Sequence, residues 1–303
     1  MTPLSSLDPS ALSFLNGMAQ IQQRAQVAED QMTTGLKINS VSDAPDQIAS
    51  LYETRSELAQ TQQIDSNLTQ VKAEVDTAES TLSSAVTLVE RAQTLASEGD
   101  TGTATASSRQ AIAGELGGIL QQLVSDANTT VGGRYIFAGD SDQQAPYSID
   151  LTQTNPISSY QGSDTTRQIQ GADGTTFSVA LTAQTIFDDP TGQEDVFSSI
   201  NNLRVALLNN DQAAIDAAMP NVQSVGTYLN QQLAFYGSVQ DRVASESDFG
   251  ANYETQLQTQ LSGIQDADLT QSITEMQQAQ TQETAALTAR AQLPQKSLFD
   301  YLA

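Results

Sequence analysis

Apolar residues recur at alternating spacings of three and four along most of this chain. Ala11, Phe14, Met18, Ile21, Ala25, Ala28 and Met32 form the first such stripe, with Gln, Arg and Glu between them, the seam of a coiled coil. Asp8 followed by Pro9 reads as an N-cap with proline in the first helical position. A helix over 9–34 is roughly 40 Å long at about 1.5 Å per residue, too long to fold on itself, so it needs a partner helix. Gly35 and the stretch SVSDAP (40–45) break it, with Ser42 or Asp43 able to cap a second helix. Leu68, Val71, Val75, Ala78, Leu82, Ala85, Val89, Ala92 and Ala96 carry that helix to the turn-like SEGDTGT (97–103). A third stripe, Ile112, Leu116, Ile119, Leu123 and Ala127, runs up to GGRYIFAG (132–139).

The pattern then changes. Residues 141–195 are rich in Thr, and Phe177, Val179 and Leu181 alternate after the hairpin signal Asp173-Gly174. Helical spacing returns with Val196, Ile200, Leu203 and Leu207, pauses at NND (209–211), and resumes past Pro220 as Val222, Val225, Leu229, Tyr236, Val239 and Val243. Phe249, Tyr253, Leu257, Leu261 and Ile264 continue it. In the last segment Ile273, Met276, Leu287 and Leu293 lie on a face interrupted by Gln280 and Glu283. Imperfect, Gln-rich seams stabilise little, so both terminal segments are expected to order on assembly.

Composition narrows the chemistry. With 36 acidic against 12 basic residues the net charge is -24, which disfavours nucleic acid and anionic membrane as partners. Cys and His are absent, excluding disulfides, thiolate or imidazole metal sites and His-based catalysis. Asp188-Asp189 and Asp140-Ser141-Asp142 sit in turn contexts where Asp caps backbone. IQDADL (264–269) lacks the glycine and distal Glu of a calcium loop. No enzyme activity, cofactor or metal is expected. The start, MTPLSSLDPS, has no signal-peptide pattern, and no apolar run approaches the roughly 20 residues that span a bilayer, so no membrane insertion is expected. The chain is then either cytoplasmic or exported without a cleaved signal peptide.

Four stretches resemble the flagellin-like family in their order along the chain: TGLKINSVSDAPDQIAS (34–50), FYGSVQDRV (235–243), IQDADLTQSI (264–273) and the ending LPQKSLFDYL. GRYIFAG is similar to the Gly-Arg-Tyr-(Leu/Ile)-Phe-x-Gly stretch of that family's hook-filament junction branch. Pro146-Tyr147 and YQGSD (160–164) resemble that branch's small outer domain.

The expected fold is mainly α with a small β insertion, an elongated helical rod with a terminal coiled-coil stalk. Residues 1–40 and 266–303 make the stalk, 41–140 and 196–265 the rod, and 141–195 a β-rich outer domain. Phe14, Met18, Ile21, Ala25, Met32, Ile273, Met276, Leu287, Leu293 and Leu298 are the candidate assembly interface. Arg134, Tyr135, Ile136 and Phe137 are the candidate interdomain anchor, the glycines allowing a chain reversal. The resemblance implies a structural flagellar subunit joining hook to filament, exported through the flagellar channel. Implied partners are flagellin, the other junction subunit, further copies of the chain, and a cytoplasmic export chaperone on the C-terminal helix. The alternatives are flagellin itself and a secreted coiled-coil adhesin or translocator.

Overall fold

The computed structural model describes residues 9–189 and 195–292. Its helices are α1 (Pro9–Thr34), α2 (Ile48–Asp100), α3 (Ala106–Ala127), α4 (Ala183–Phe187), α5 (Val196–Leu208), α6 (Gln212–Gln265) and α7 (Leu269–Gln292). Two short antiparallel pairs, β1 (Thr130–Val131) with β2 (Arg134–Tyr135) and β3 (Gln168–Gln170) with β4 (Thr176–Ser178), interrupt them. The chain divides into two compact units. One holds residues 1–60 and 254–303, the other Thr61–Tyr253.

In the larger unit the stripe from Leu68 to Ala96 is buried throughout, against Leu116, Leu120 and Leu123 of α3, Ile200 and Leu203 of α5, and Val222 to Val243 of α6. Helix starts are capped as their side chains dictate. Thr105 accepts from Ser108 N (3.1 Å), Thr182 from Thr185 N (3.1 Å) and Asp195 from Ser198 N (2.7 Å). Gly132 and Gly133, at φ +59° and +79°, make the two-residue turn of the first hairpin, where both central residues need the left-handed region.

Three expectations are corrected. Helix α2 continues through 97–100 because Gly99 lies buried against Leu207, where a Cβ would meet a Leu207 methyl at 2.5 Å. Helix α6 starts at Gln212 and contains Pro220, so the pause at 209–211 ends before the proline, which leaves the Asp216 carbonyl without its helical donor. The alternation at Phe177, Val179 and Leu181 pairs only as far as Ser178. Beyond it the Leu181 N–H turns to the Tyr236 hydroxyl (3.0 Å). Phe137, Tyr147, Phe177 and Val179 share one core with the helices, so the β-rich stretch belongs to the same compact unit as the helices around it.

In the smaller unit α1 packs antiparallel on α7. Gly35 at φ +73° ends α1, the αL stop glycine provides, and Asp268 caps α7 by accepting from Thr270 N (2.9 Å) and Gln271 N (3.1 Å). Between them the chain is clasped. Lys37 N donates to Gln265 O (2.6 Å), Ala267 N to Gly35 O (2.9 Å), and Arg55 holds the Gln265 side chain at 2.7 Å.

Candidate functional site

The terminal helix pair supplies the first candidate surface. Ala28, Ser272 and Ala279 are buried between the helices, and Phe14, Met18, Ile21, Ala25 and Met276 are half-buried. Polar contacts set one antiparallel register: Ser272 Oγ donates to Gln31 Oε1 (2.9 Å), Arg24 to Gln282 Oε1 (2.8 Å) and Gln22 to Glu283 Oε1 (3.2 Å). The Arg290 guanidinium lies 5.5 Å from the Phe14 ring centre. Met32, Ile273 and Leu287 lie elsewhere, 38%, 43% and 52% exposed, and Leu12, Leu15, Val27 and Leu269 join them on the outside. The seam on α7 therefore runs through small and polar side chains one position away from Ile273. The apolar identity of Ile273 and Leu287 drew them into the stripe on paper. Leu293 and Leu298 lie outside the described residues.

The glycine-bounded stretch is the second candidate, within the larger unit. Phe137 is fully buried and meets Tyr236 edge-on at 6.3 Å. Its carbonyl accepts from Ala183 N (2.7 Å) and from the Tyr160 hydroxyl (3.1 Å). Burial, with Asp164 adding to it, pushes the Tyr160 phenol up to about 12. Burial likewise raises Tyr236, so both phenols stay neutral, Tyr160 donating to the Phe137 carbonyl and Tyr236 accepting from Leu181 N. Gly139, at φ +61°, passes so close to Ser163 that a Cβ would stand 2.1 Å from its carbonyl oxygen. Arg134 donates to Glu74 Oε1 of α2 (3.0 Å) and faces Asp142 at 3.7 Å, while Arg167 takes the other Glu74 oxygen. Tyr135 and Ile136 are half-buried. Sequence reasoning missed Glu74 and Arg167, whose pairing across the chain leaves no local spacing signal.

Two of the carboxylates singled out as turn residues have structural partners: Asp142 faces Arg134, and Asp188 accepts from the Tyr147 hydroxyl at 3.3 Å while its backbone forms a β-bridge with Asp195. Burial first, then Asp195, holds the Asp188 carboxyl above its usual range. Among the described residues no three His, Cys, Asp or Glu side chains converge to hold a metal ion. No described helix is long and apolar enough to cross a membrane.

Comparison with known proteins places this geometry. Residues 7–142 match the bacterial flagellin N-terminal helical region and residues 212–302 the bacterial flagellin C-terminal helical region. The flagellar hook-associated protein 3 of Escherichia coli (strain K12) is 32% identical over 135 residues, 44% of this chain and 43% of that protein. Its Salmonella typhimurium namesake is 32% identical over 134 residues, 44% of this chain and 42% of that protein. The chain thus aligns with less than half the length of these relatives. Among solved structures, the flagellar hook associated protein-3 of Legionella pneumophila superposes with a TM-score of 0.61 at 13% identity, covering 70% of this chain and 98% of the other. FlgL of Xanthomonas campestris gives 0.60 at 20%, covering 68% and 98%. At such identities the likeness is one of fold.

Proposed function

We propose that this chain, which belongs to the bacterial flagellin family, is a structural subunit that joins the flagellar hook to its filament. The carrying observation is the terminal pair: its seam is filled by Ala28, Ser272 and Ala279 while Leu15, Val27, Ile273 and Leu287 face outward. Large apolar side chains left outside a two-helix pair call for neighbours in an assembly. In this reading Met32, Ile273 and Leu287 meet adjacent subunits, and Phe14, Met18, Ile21, Ala25 and Met276 hold the pair and reach its flank. The anchor from Arg134 to Phe137 fixes the β-rich stretch, and residues 141–195 face outward.

The partners are further copies of the chain, the second junction subunit and flagellin, with an export chaperone on the C-terminal helix before secretion. The protein acts outside the cell without enzymatic activity. The resemblance of GRYIFAG to the junction branch and the curated relatives favour this position over the filament body. Immunogold electron microscopy of intact flagella with antibody to residues 141–195 tests it. Label in a narrow band between hook and filament is expected. Label along the whole filament makes the chain a flagellin, and absence of flagellar label with an accessible epitope makes it a separate secreted protein.

A further inference from the structure

The β-rich excursion (residues 128–182) leaves the helices of the larger unit and grips two of them at different points. Toward α2 the grip is ionic. Arg134 and Arg167, from separate segments of the excursion, each take one oxygen of Glu74, whose side chain is only 17% exposed. Toward α6 the grip is aromatic and polar. Phe137 packs edge-on against Tyr236, the Tyr236 hydroxyl accepts from Leu181 N (3.0 Å), and the Arg242 guanidinium lies 4.2 Å from the Phe177 ring centre. Glu246, 7% exposed, accepts from Asp173 N at 3.2 Å, and Gly171 approaches it so closely that a Cβ would stand 2.4 Å from a carboxylate oxygen.

Direct polar ties between α2 and α6 in this stretch are Gln240 to Asp76 (3.0 Å) and Ser247 to Asp65 (3.1 Å). Both are single side-chain hydrogen bonds between antiparallel helices. The excursion resists sliding differently. Its two grips are joined through a backbone held at Phe137 O by Ala183 N (2.7 Å) and at Ala138 O by Ser163 N (2.9 Å), so displacement of α2 along α6 must break one grip or the other.

We propose that the excursion is a cross-brace that couples α2 to α6 against shear, with Glu74 and Tyr236 as its two footings. The mechanical use of such a brace, in a subunit that carries load between hook and filament, rests on the junction reading. The coupling does not.

Hydrogen exchange on the full-length protein tests the coupling, with Glu74→Gln and Tyr236→Phe as variants that keep side-chain shape. Removing the charge-assisted bonds of Glu74 is expected to lower protection about tenfold or more where their effect is felt, and removing the neutral Tyr236 bond about fivefold. Glu74→Gln should lower protection in α6 over residues 236–250, although the Glu74 hydrogen bonds go to the excursion. Tyr236→Phe should reciprocally lower it in α2 over 68–78, with α3 and α5 unchanged. Loss confined in each variant to the excursion and the substituted helix overturns the proposal. Loss spread evenly through the unit, α3 and α5 included, overturns it too, because a brace loosens the helices it spans and not the rest. Absence of the unsubstituted protein from the hook-filament junction, with reciprocal exchange as expected, would sink the junction reading alone.

Discussion

Arg109 offers a demanding test of how this fold is held at the end of its helical bundle. It is 5% exposed and donates to Gly99 O at 2.9 Å, to Asn210 Oδ1 at 2.8 Å and to Gln212 Oε1. It thereby joins the C-terminus of α2, the start of α3 and the α5–α6 turn, where Asn210 sits at φ +52°. Arg109→Met keeps most of the stem and removes the guanidinium. The buried Gly99 carbonyl then loses its donor at a cost of about 1–3 kcal/mol, and the Asn210 and Gln212 bonds add roughly 0.5 to 1 each because water can reach them. Release of a buried cation's desolvation penalty offsets part of this. The net expectation is a loss of about 2–3 kcal/mol, or some 5–10 °C for a unit of this size. Urea unfolding followed by tyrosine fluorescence, with Tyr147 and Tyr236 buried in the same unit and no tryptophan to mask them, measures it if the slope is unchanged. Arg109→Lys should recover part of the loss, since one ammonium cannot span three acceptors. Unchanged or raised stability in Arg109→Met would mean that desolvation of the cation outweighs its three bonds, and would refute the account of it as a pin.

Other substitutions probe separate parts. Burial raises the Asp126 carboxyl, opposed by Gln122 and Ser84, and its Oδ2 has no hydrogen-bond partner. Its folded pKa lies above the unfolded one, so its stabilising contribution is complete below about pH 4 and declines as pH rises toward the folded value. Asp126→Asn should therefore stabilise at neutral pH by about 1 kcal/mol, a gain that disappears below pH 4 in a pH series of unfolding midpoints. Gly139→Ala should cost about 2–4 kcal/mol, since it strains a positive φ and drives a methyl into the Ser163 carbonyl; calorimetry checks it. Ile273→Ser should leave the monomer's melting within about 0.5 kcal/mol while abolishing incorporation into flagella, read by immunoblot of sheared filaments.

The long buried stripes were legible because a helix facing a core needs apolar residues every three or four positions, and Leu68 to Ala96 supply them, Leu and Val interspersed with Ala and all buried. The seam of α7 was illegible for the opposite reason. Helices that approach closely select Ser272 and Ala279 by size, while Ile273, one residue on, carries the stronger apolar signal and faces out. The clusters around Arg109 and Glu74 were equally hidden. Arg109 reaches partners 101 and 103 residues away and Glu74 partners 60 and 93 away, separations at which no periodicity links the residues. Glycine was more informative: the Gly132-Gly133 pair marked a chain reversal, and both residues do adopt the left-handed backbone that such a turn requires.

The distribution of apolar mass in the terminal pair explains why similar ends can serve an assembly. Burying an alanine methyl contributes about 0.8 kcal/mol, against some 1.5–3 for a Leu or Ile side chain. The pair buries Ala28 and Ala279 fully and leaves Leu12, Leu15, Val27, Ile273 and Leu287 each more than 40% exposed. Part of its hydrophobic free energy is thus withheld from the single chain. Meanwhile Ser272 with Gln31 and Glu283 with Gln22 fix the register at little gain in stability, the known use of polar residues in a coiled-coil seam. A pair that is specific in register and weak in burial holds its outward side chains in fixed places. In the proposed assembly the helices need not be strong alone, because neighbouring subunits would supply the contacts that complete them.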